Sequence, residues 1–154
     1  MKSKKYLLLS ILLVMVLLLP TVTVSAKNEK TYFVFTEICD ETTIQIGRIL
    51  ETGQANWIAK HFTQTCHETS DSPYVNGTAT IDLNLNEVGN GVWFFVGKAR
   101  YTTEEGGIWN ANCLYPWSSP TVQCVGKGEG MYEGLQIFMT GFPGGEWTGY
   151  VVEH

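Results

Sequence analysis

Three histidines, four cysteines, a few closely spaced glutamates and a high density of tryptophan and tyrosine are the residues of this 154-residue chain whose types can do chemistry. His61 falls in the segment Asn56 to Cys66, where Trp57, Ala59, His61 and Thr63 share one face if Lys60 and Gln64 face water. A histidine on that face is either a general base or polar anchor inside a cavity, or a half-buried ring bonded to a backbone carbonyl. His67 stands just past Cys66, in a stretch with Asp71 and Pro73 that reads as an exposed loop. Glu129 and Glu133 carry the groups that glycosidases use in pairs, but alternation turns both outward, and Glu104-Glu105 is turn chemistry. Nothing marks one serine above the others as a nucleophile. Gly126, Gly128 and Gly130 have a Gly-x-Gly-x-Gly spacing, but a phosphate loop needs a strand before it and a helix after it. Here the glycines alternate inside a strand and relieve crowding on its inner side. No catalytic set is assigned.

Cys39, Cys66, Cys113 and Cys124 form an even set, which in an exported chain reads as two disulfides. Spacing alone does not choose among the three possible connectivities. No Cys-x-x-Cys occurs, and His61, His67 and His154 lack standard metal spacing, so no metal site is assigned and no cofactor is implied.

Export itself is read from the start of the chain. Lys2, Lys4 and Lys5 precede an almost unbroken apolar run, Leu7 to Leu19, stopped by Pro20 and followed by Val24-Ser25-Ala26. That is the pattern of a secretory signal peptide, residues 1–26. The run is short of the roughly 20 residues that span a bilayer, so no stable membrane insertion is expected after cleavage. The remainder, 27–154, is read as one secreted or extracytoplasmic domain large enough for a core. All 15 acidic residues and seven of the ten basic ones lie in it, a formal charge of −8. That sign opposes nucleic-acid binding, which draws most of its affinity from Lys and Arg. Asn76-Gly77-Thr78 is a formal glycosylation sequon, but a poor acceptor inside a strand.

The elements that must position these groups are strands. Val75, Gly77, Ala79, Ile81, Leu83 and Leu85 alternate with Asn76, Thr78, Thr80, Asp82 and Asn84, a period of two with one dry face. Val92 to Tyr101, Ile108 to Tyr115 and Val122 to Tyr132 continue the pattern. Lys98, Arg100, Asn110, Asn112, Gln123, Lys127 and Glu129 mark their wet faces. Leu135 to Thr140 and Glu146 to Glu153 close the chain; Tyr32 to Ile38, Thr43 to Leu50 and Asn56 to Cys66 open it. Eight or nine short strands with turn residues between them predict a closed antiparallel up-and-down β-barrel, which leaves no exposed edges. Alternation puts Cys113 and Cys124 on one face of neighbouring strands, as a cross-strand disulfide requires. Cys39 is then left with Cys66.

The same alternation turns Trp57, Trp93, Phe95, Trp109, Tyr115, Tyr132 and Trp147 inward, among Gly97, Ala99, Ala111, Gly126, Gly128 and Gly130. Bulky residues beside small ones either interdigitate and fill a small barrel or leave an aromatic-walled pocket for an apolar ligand. On the second reading Trp57, His61, Trp93, Phe95, Trp109 and Tyr132 are the candidate ligand-binding residues.

Several motifs occur in a familiar order: Cys39; Asn76-Gly77-Thr78 with Asn84 and Asn86; Gly107-Ile108-Trp109; Gly126 to Leu135; and Trp147-Thr148-Gly149-Tyr150. Over roughly residues 37–152 the chain resembles bacterial allene oxide cyclase-like barrel proteins, distant relatives of plant allene oxide cyclases and dirigent proteins. The resemblance implies an eight-stranded barrel with a central cavity, hydrophobic substrates and a possible homo-oligomer; no catalytic residue transfers. The functional expectation is a non-enzymatic binder of a small apolar or aromatic molecule. The rivals are a cyclase or isomerase using His61, Arg100 or Tyr101 inside the cavity, and a ligand-free barrel making surface contacts.

Overall fold

The computed structural model describes residues 29–53, 56–87, 92–116 and 119–153, with the side chains of 52, 53, 56 and 57 left aside; the expected signal peptide lies outside the described residues. Eight strands follow in chain order: β1 (Thr31–Gly53), β2 (Asn56–Thr69), β3 (Gly77–Glu87), β4 (Trp93–Thr103), β5 (Ile108–Tyr115), β6 (Val122–Glu129), β7 (Leu135–Gly141) and β8 (Glu146–Glu153). Each pairs antiparallel with the next, and β8 pairs back with β1, so the sheet runs round in a ring. Among the described residues no helix is long and apolar enough to cross a membrane.

The uniform closed up-and-down barrel expected from the sequence is corrected in its geometry. β1 meets β8 only through Thr31–Thr36, and from Thr36 onward its ladder partner is β2. The two opening strands expected at Tyr32 to Ile38 and Thr43 to Leu50 are this one strand of 23 residues. Its ladder with β2 is interrupted by a register shift between Asp40 and Gln45. There the Asp40 carboxylate accepts from the Thr42 N–H (2.8 Å) and hydroxyl (2.7 Å), and Thr43 Oγ1 accepts from the Thr65 N–H (2.9 Å). A bulge of this kind bends a strand out of its ladder. Past it, Ile44, Ile46 and Ile49 are exposed, and the β1–β2 ribbon runs on beyond the join with β8. The edge that a uniform barrel would remove is therefore retained along the outer part of β1.

A second bulge corrects the reading of β2. Ala59 pairs with Leu85 and Phe62 with Leu83, so Lys60 and His61 together oppose Asn84. His61 adopts φ 54°, the left-handed conformation that L-residues enter at a cost of about 1–2 kcal/mol. The two-for-one step flips the face of everything after it. Ala59 is buried, His61 is exposed, and Phe62, Cys66 and Glu68 point to the interior.

From β3 onward alternation is kept. Phe33, Phe35, Ala79, Leu83, Ala99, Tyr101, Trp109, Ala111, Cys113, Cys124, Ile137, Met139, Trp147 and Val151 make the buried interior. Both expected disulfides, Cys39–Cys66 and Cys113–Cys124, join directly opposed residues of neighbouring strands. The strand expected to run to Tyr132 stops at Glu129, where one turn of 3-10 helix, Gly130–Tyr132, folds Tyr132 back over the ring. Gly128 makes room for that turn, because an added Cβ would overlap the Tyr132 carbonyl. Gly128→Val is expected to cost about 1–3 kcal/mol or more through overpacking. Lys127→Val, one residue away and exposed, should stay within about 0.5 kcal/mol. Thermal melts of the pair test the assignment, and equal losses would contradict it.

Candidate functional site

The interior is divided into a filled end and a hollow end. At the filled end Trp109 has no solvent exposure and stacks on Tyr132, with ring centroids 4.7 Å apart. Its indole N–H donates to the Tyr74 carbonyl at 2.7 Å. The Tyr132 hydroxyl donates to the Pro73 carbonyl at 2.8 Å and lies 3.1 Å from Thr103 Oγ1. Thr103 in turn clasps Gly107, its hydroxyl accepting the Gly107 N–H at 3.0 Å. Loops and side chains thus seal this end with all these polar atoms paired.

The hollow end holds a cavity of about 230 Å³. Phe62, Ile81, Leu83, Leu85 and Phe95 give it apolar walls, and the Cys39 and Cys113–Cys124 sulfurs lie against it. Its polar lining residues are Glu37, Gln64, Tyr101 and Trp147. An apolar cavity of about 150 Å³ suffices for benzene, so this one has room for a single-ring molecule with a short substituent.

Glu37 in this lining belongs to a buried acid pair. Glu37 and Glu68 are directly opposed on β1 and β2, two rungs beyond the Cys39–Cys66 bridge, and are only 5% and 3% exposed. Glu37 is tied down: its Oε2 accepts the Gly144 N–H at 2.7 Å, and its own N–H donates to the Gly145 carbonyl at 2.8 Å. Burial raises its pKa above the ordinary carboxylate value, with the Gly144 N–H and the nearby Trp147 indole opposing. Glu68 has no such support, and both its carboxyl oxygens lack a hydrogen-bond partner. Burial, then the neighbouring Glu37 charge, push its pKa up to about 9. It is therefore a neutral acid at pH 7, as expected when two carboxyls share a dry site. Tyr101 is also held well above the ordinary phenol value, by burial and then by the two glutamates. The buried Trp147 indole N–H lies near enough to Glu37 to favour its charged form but outside good hydrogen-bond geometry.

Glu37 and the Cys39 and Cys66 sulfurs come close enough together to suggest a metal site. The two sulfurs are bonded to each other, so they offer no thiolate, and the group is a buried acid–cystine cluster instead.

Of the expected ligand-binding residues, the structure brings only Phe95 to this cavity. Trp109 and Tyr132 belong to the filled end. His61 points outward and pairs with Asp82 at 3.4 Å, both side chains largely exposed. Trp93 stands at the start of β4 with 39% exposure, and the Trp57 side chain lies outside the described residues. Of the three polar groups named for an enzymatic interior, His61 and Arg100 are on the outer face. Arg100 bonds Asn110 at 3.0 Å and Glu129 at 3.5 Å; Tyr101 alone is inside. A larger apolar hollow, about 510 Å³, lies on the outer side of β1, β8, β7 and β6 among Tyr32, Val34, Phe138 and Tyr150. It has no charged lining residue and supplies apolar area without chemistry.

Sequence reasoning missed the acid pair, although a signal for it was present. Glu37 lies two residues before Cys39 and Glu68 two residues after Cys66, so strand alternation carries both to the face of that bridge. The class defined by fold and site is a disulfide-linked all-β domain with a buried acid–cystine cluster beside an apolar half-cavity. No family model, curated protein or solved structure matches the chain. The allene oxide cyclase-like description therefore rests on turn and glycine motifs alone, and the staggered closure of the sheet departs from the closed barrel it implied.

Proposed function

We propose that the chain is an exported, non-enzymatic binding protein that holds a small, single-ring or comparably compact apolar molecule in the hollow end of its interior. The observation that carries this reading is the 230 Å³ cavity walled by Phe62, Leu83, Leu85 and Phe95 and left open while Trp109 and Tyr132 fill the interior beyond it. A core that only needed to be solid would close both ends, because unfilled volume costs stability. Export is supported by the leader-like start and by two disulfides with no free cysteine among the described residues. The non-enzymatic reading rests on the position of His61 and Arg100 outside and on the absence of any nucleophile–base pair among the described cavity residues.

Titration with benzyl alcohol and toluene, followed by tryptophan fluorescence, tests the proposal, since Trp147 lines the cavity. Saturable quenching is the expected outcome. Phe95→Ala should weaken binding about tenfold to a hundredfold, from the roughly 1.5–3 kcal/mol of apolar burial that an aromatic wall contributes. His61→Ala should leave it unchanged. No saturable signal with either probe would sink the reading.

A further inference from the structure

We infer that the molecule taken into this cavity is a primary amine, whose ammonium group lies beside Glu37 and is neutralised by the Glu37–Glu68 pair. The inference rests on the binding reading above and names the chemical class for the same site. Four observations support it. The cavity lining is mostly apolar, with Glu37 as its one charged residue, so it favours a guest with an apolar body and a group that Glu37 can bind. The lining holds one acid, Glu37, and a phenol, Tyr101, and includes no Lys, Arg or His. The two buried carboxyls face each other across one rung with no cation of the described chain against them. Glu68, 3% exposed, keeps two carboxyl oxygens without partners. Buried polar groups left this way are costly to the fold. A site that bears that cost is arranged for a group that arrives later.

The chemistry of arrival balances simply. Glu68 is protonated in the empty protein because burial and the Glu37 charge oppose its ionisation. The groups facing it are Glu37 on β1 and Tyr101 on β4, the latter also held neutral. An incoming ammonium offsets the Glu37 charge and attracts the charged form of Glu68, so the repulsion that opposes ionisation is removed and the Glu68 O–H bond breaks heterolytically. The carboxylate keeps the electron pair and stays beside the ammonium, and the proton leaves to solvent. Amine binding near pH 7 should therefore release up to one proton per molecule bound, whereas a neutral guest should release none. Amine affinity should also rise with pH while the amine itself stays protonated.

Isothermal titration with benzylamine, benzyl alcohol and benzoate, each in phosphate and in Tris at pH 7, is the test. Benzylamine should bind on the order of tenfold or more tightly than benzyl alcohol. Its apparent enthalpy should differ between the buffers as proton release requires, and benzoate should bind least. Glu68→Gln should abolish the proton release, and Glu37→Gln should erase the preference for benzylamine over benzyl alcohol. Equal affinity for amine and alcohol, or amine binding with no buffer dependence, overturns the amine assignment and leaves the binding reading standing. Failure of all three probes overturns both.

Discussion

Glu68→Gln should make the protein more stable at pH 8 than the parent and remove most of the fall in stability between pH 5 and pH 8. The sign follows from proton linkage. Glu68 titrates from an ordinary value of 4.5 in the unfolded chain and near 9 in the folded one. Between those values the folded state binds more protons than the unfolded state, so stability decreases as pH rises. The contribution is fully present below about pH 4.5 and is lost progressively as pH approaches 9. Integrated over that window, it is on the order of 5 kcal/mol, a large share of the 5–15 kcal/mol typical of a domain. Glutamine keeps the shape of the protonated acid and cannot ionise. Urea titrations of both proteins at pH 5, 6.5 and 8, with the disulfides intact, measure the effect. Parallel curves for parent and variant would show that Glu68 titrates normally and that its surroundings are wet.

The cost that this acid imposes is also why it was hard to find from the sequence. Rules of alternation treat a charged residue as evidence of a solvent-facing position. They served well at Lys98, Arg100, Lys127 and Glu129, all exposed as expected. They fail where a carboxyl is buried in its neutral form, as at Glu68. The cysteines carried the counter-evidence, because a cross-strand bridge declares its own face and the residues two away must share it. Where alternation is unbroken, from β3 to β8, strands, faces and disulfide partners were legible in advance. Where a bulge inserts an extra residue, parity inverts and composition gives no warning. His61 sits at such a step, with a positive φ that Gly or Asn would have advertised. The aromatic set was read correctly as inward at Phe95, Trp109, Tyr132 and Trp147. What alternation cannot supply is position along the ring axis, and that coordinate separates the residues that plug one end from those that wall the other.

The division into a filled and a hollow end makes the largest packing prediction asymmetric. Trp109→Ala should cost about 3–5 kcal/mol, the usual range for removing a large aromatic from a core that cannot collapse around the gap. Trp109 is the largest side chain with no exposure; its loss also unstacks Tyr132 and leaves the Tyr74 carbonyl without its donor. An unpaired buried carbonyl adds about 1–3 kcal/mol. At several degrees per kcal/mol for a domain of this size, the melting temperature should fall by roughly 15 °C or more. Phe95→Ala removes a comparable aromatic, but one whose face already borders empty volume. Fewer contacts are forfeited there, so its stability loss should be about half that of Trp109→Ala or less, while its effect on benzyl alcohol binding is the larger of the two. Thermal melts and fluorescence titrations on the same two variants give four numbers that must cross over in this way. If Phe95→Ala destabilises as severely as Trp109→Ala, the cavity is packed shut in solution, and the interior is a core at both ends with no place for a guest.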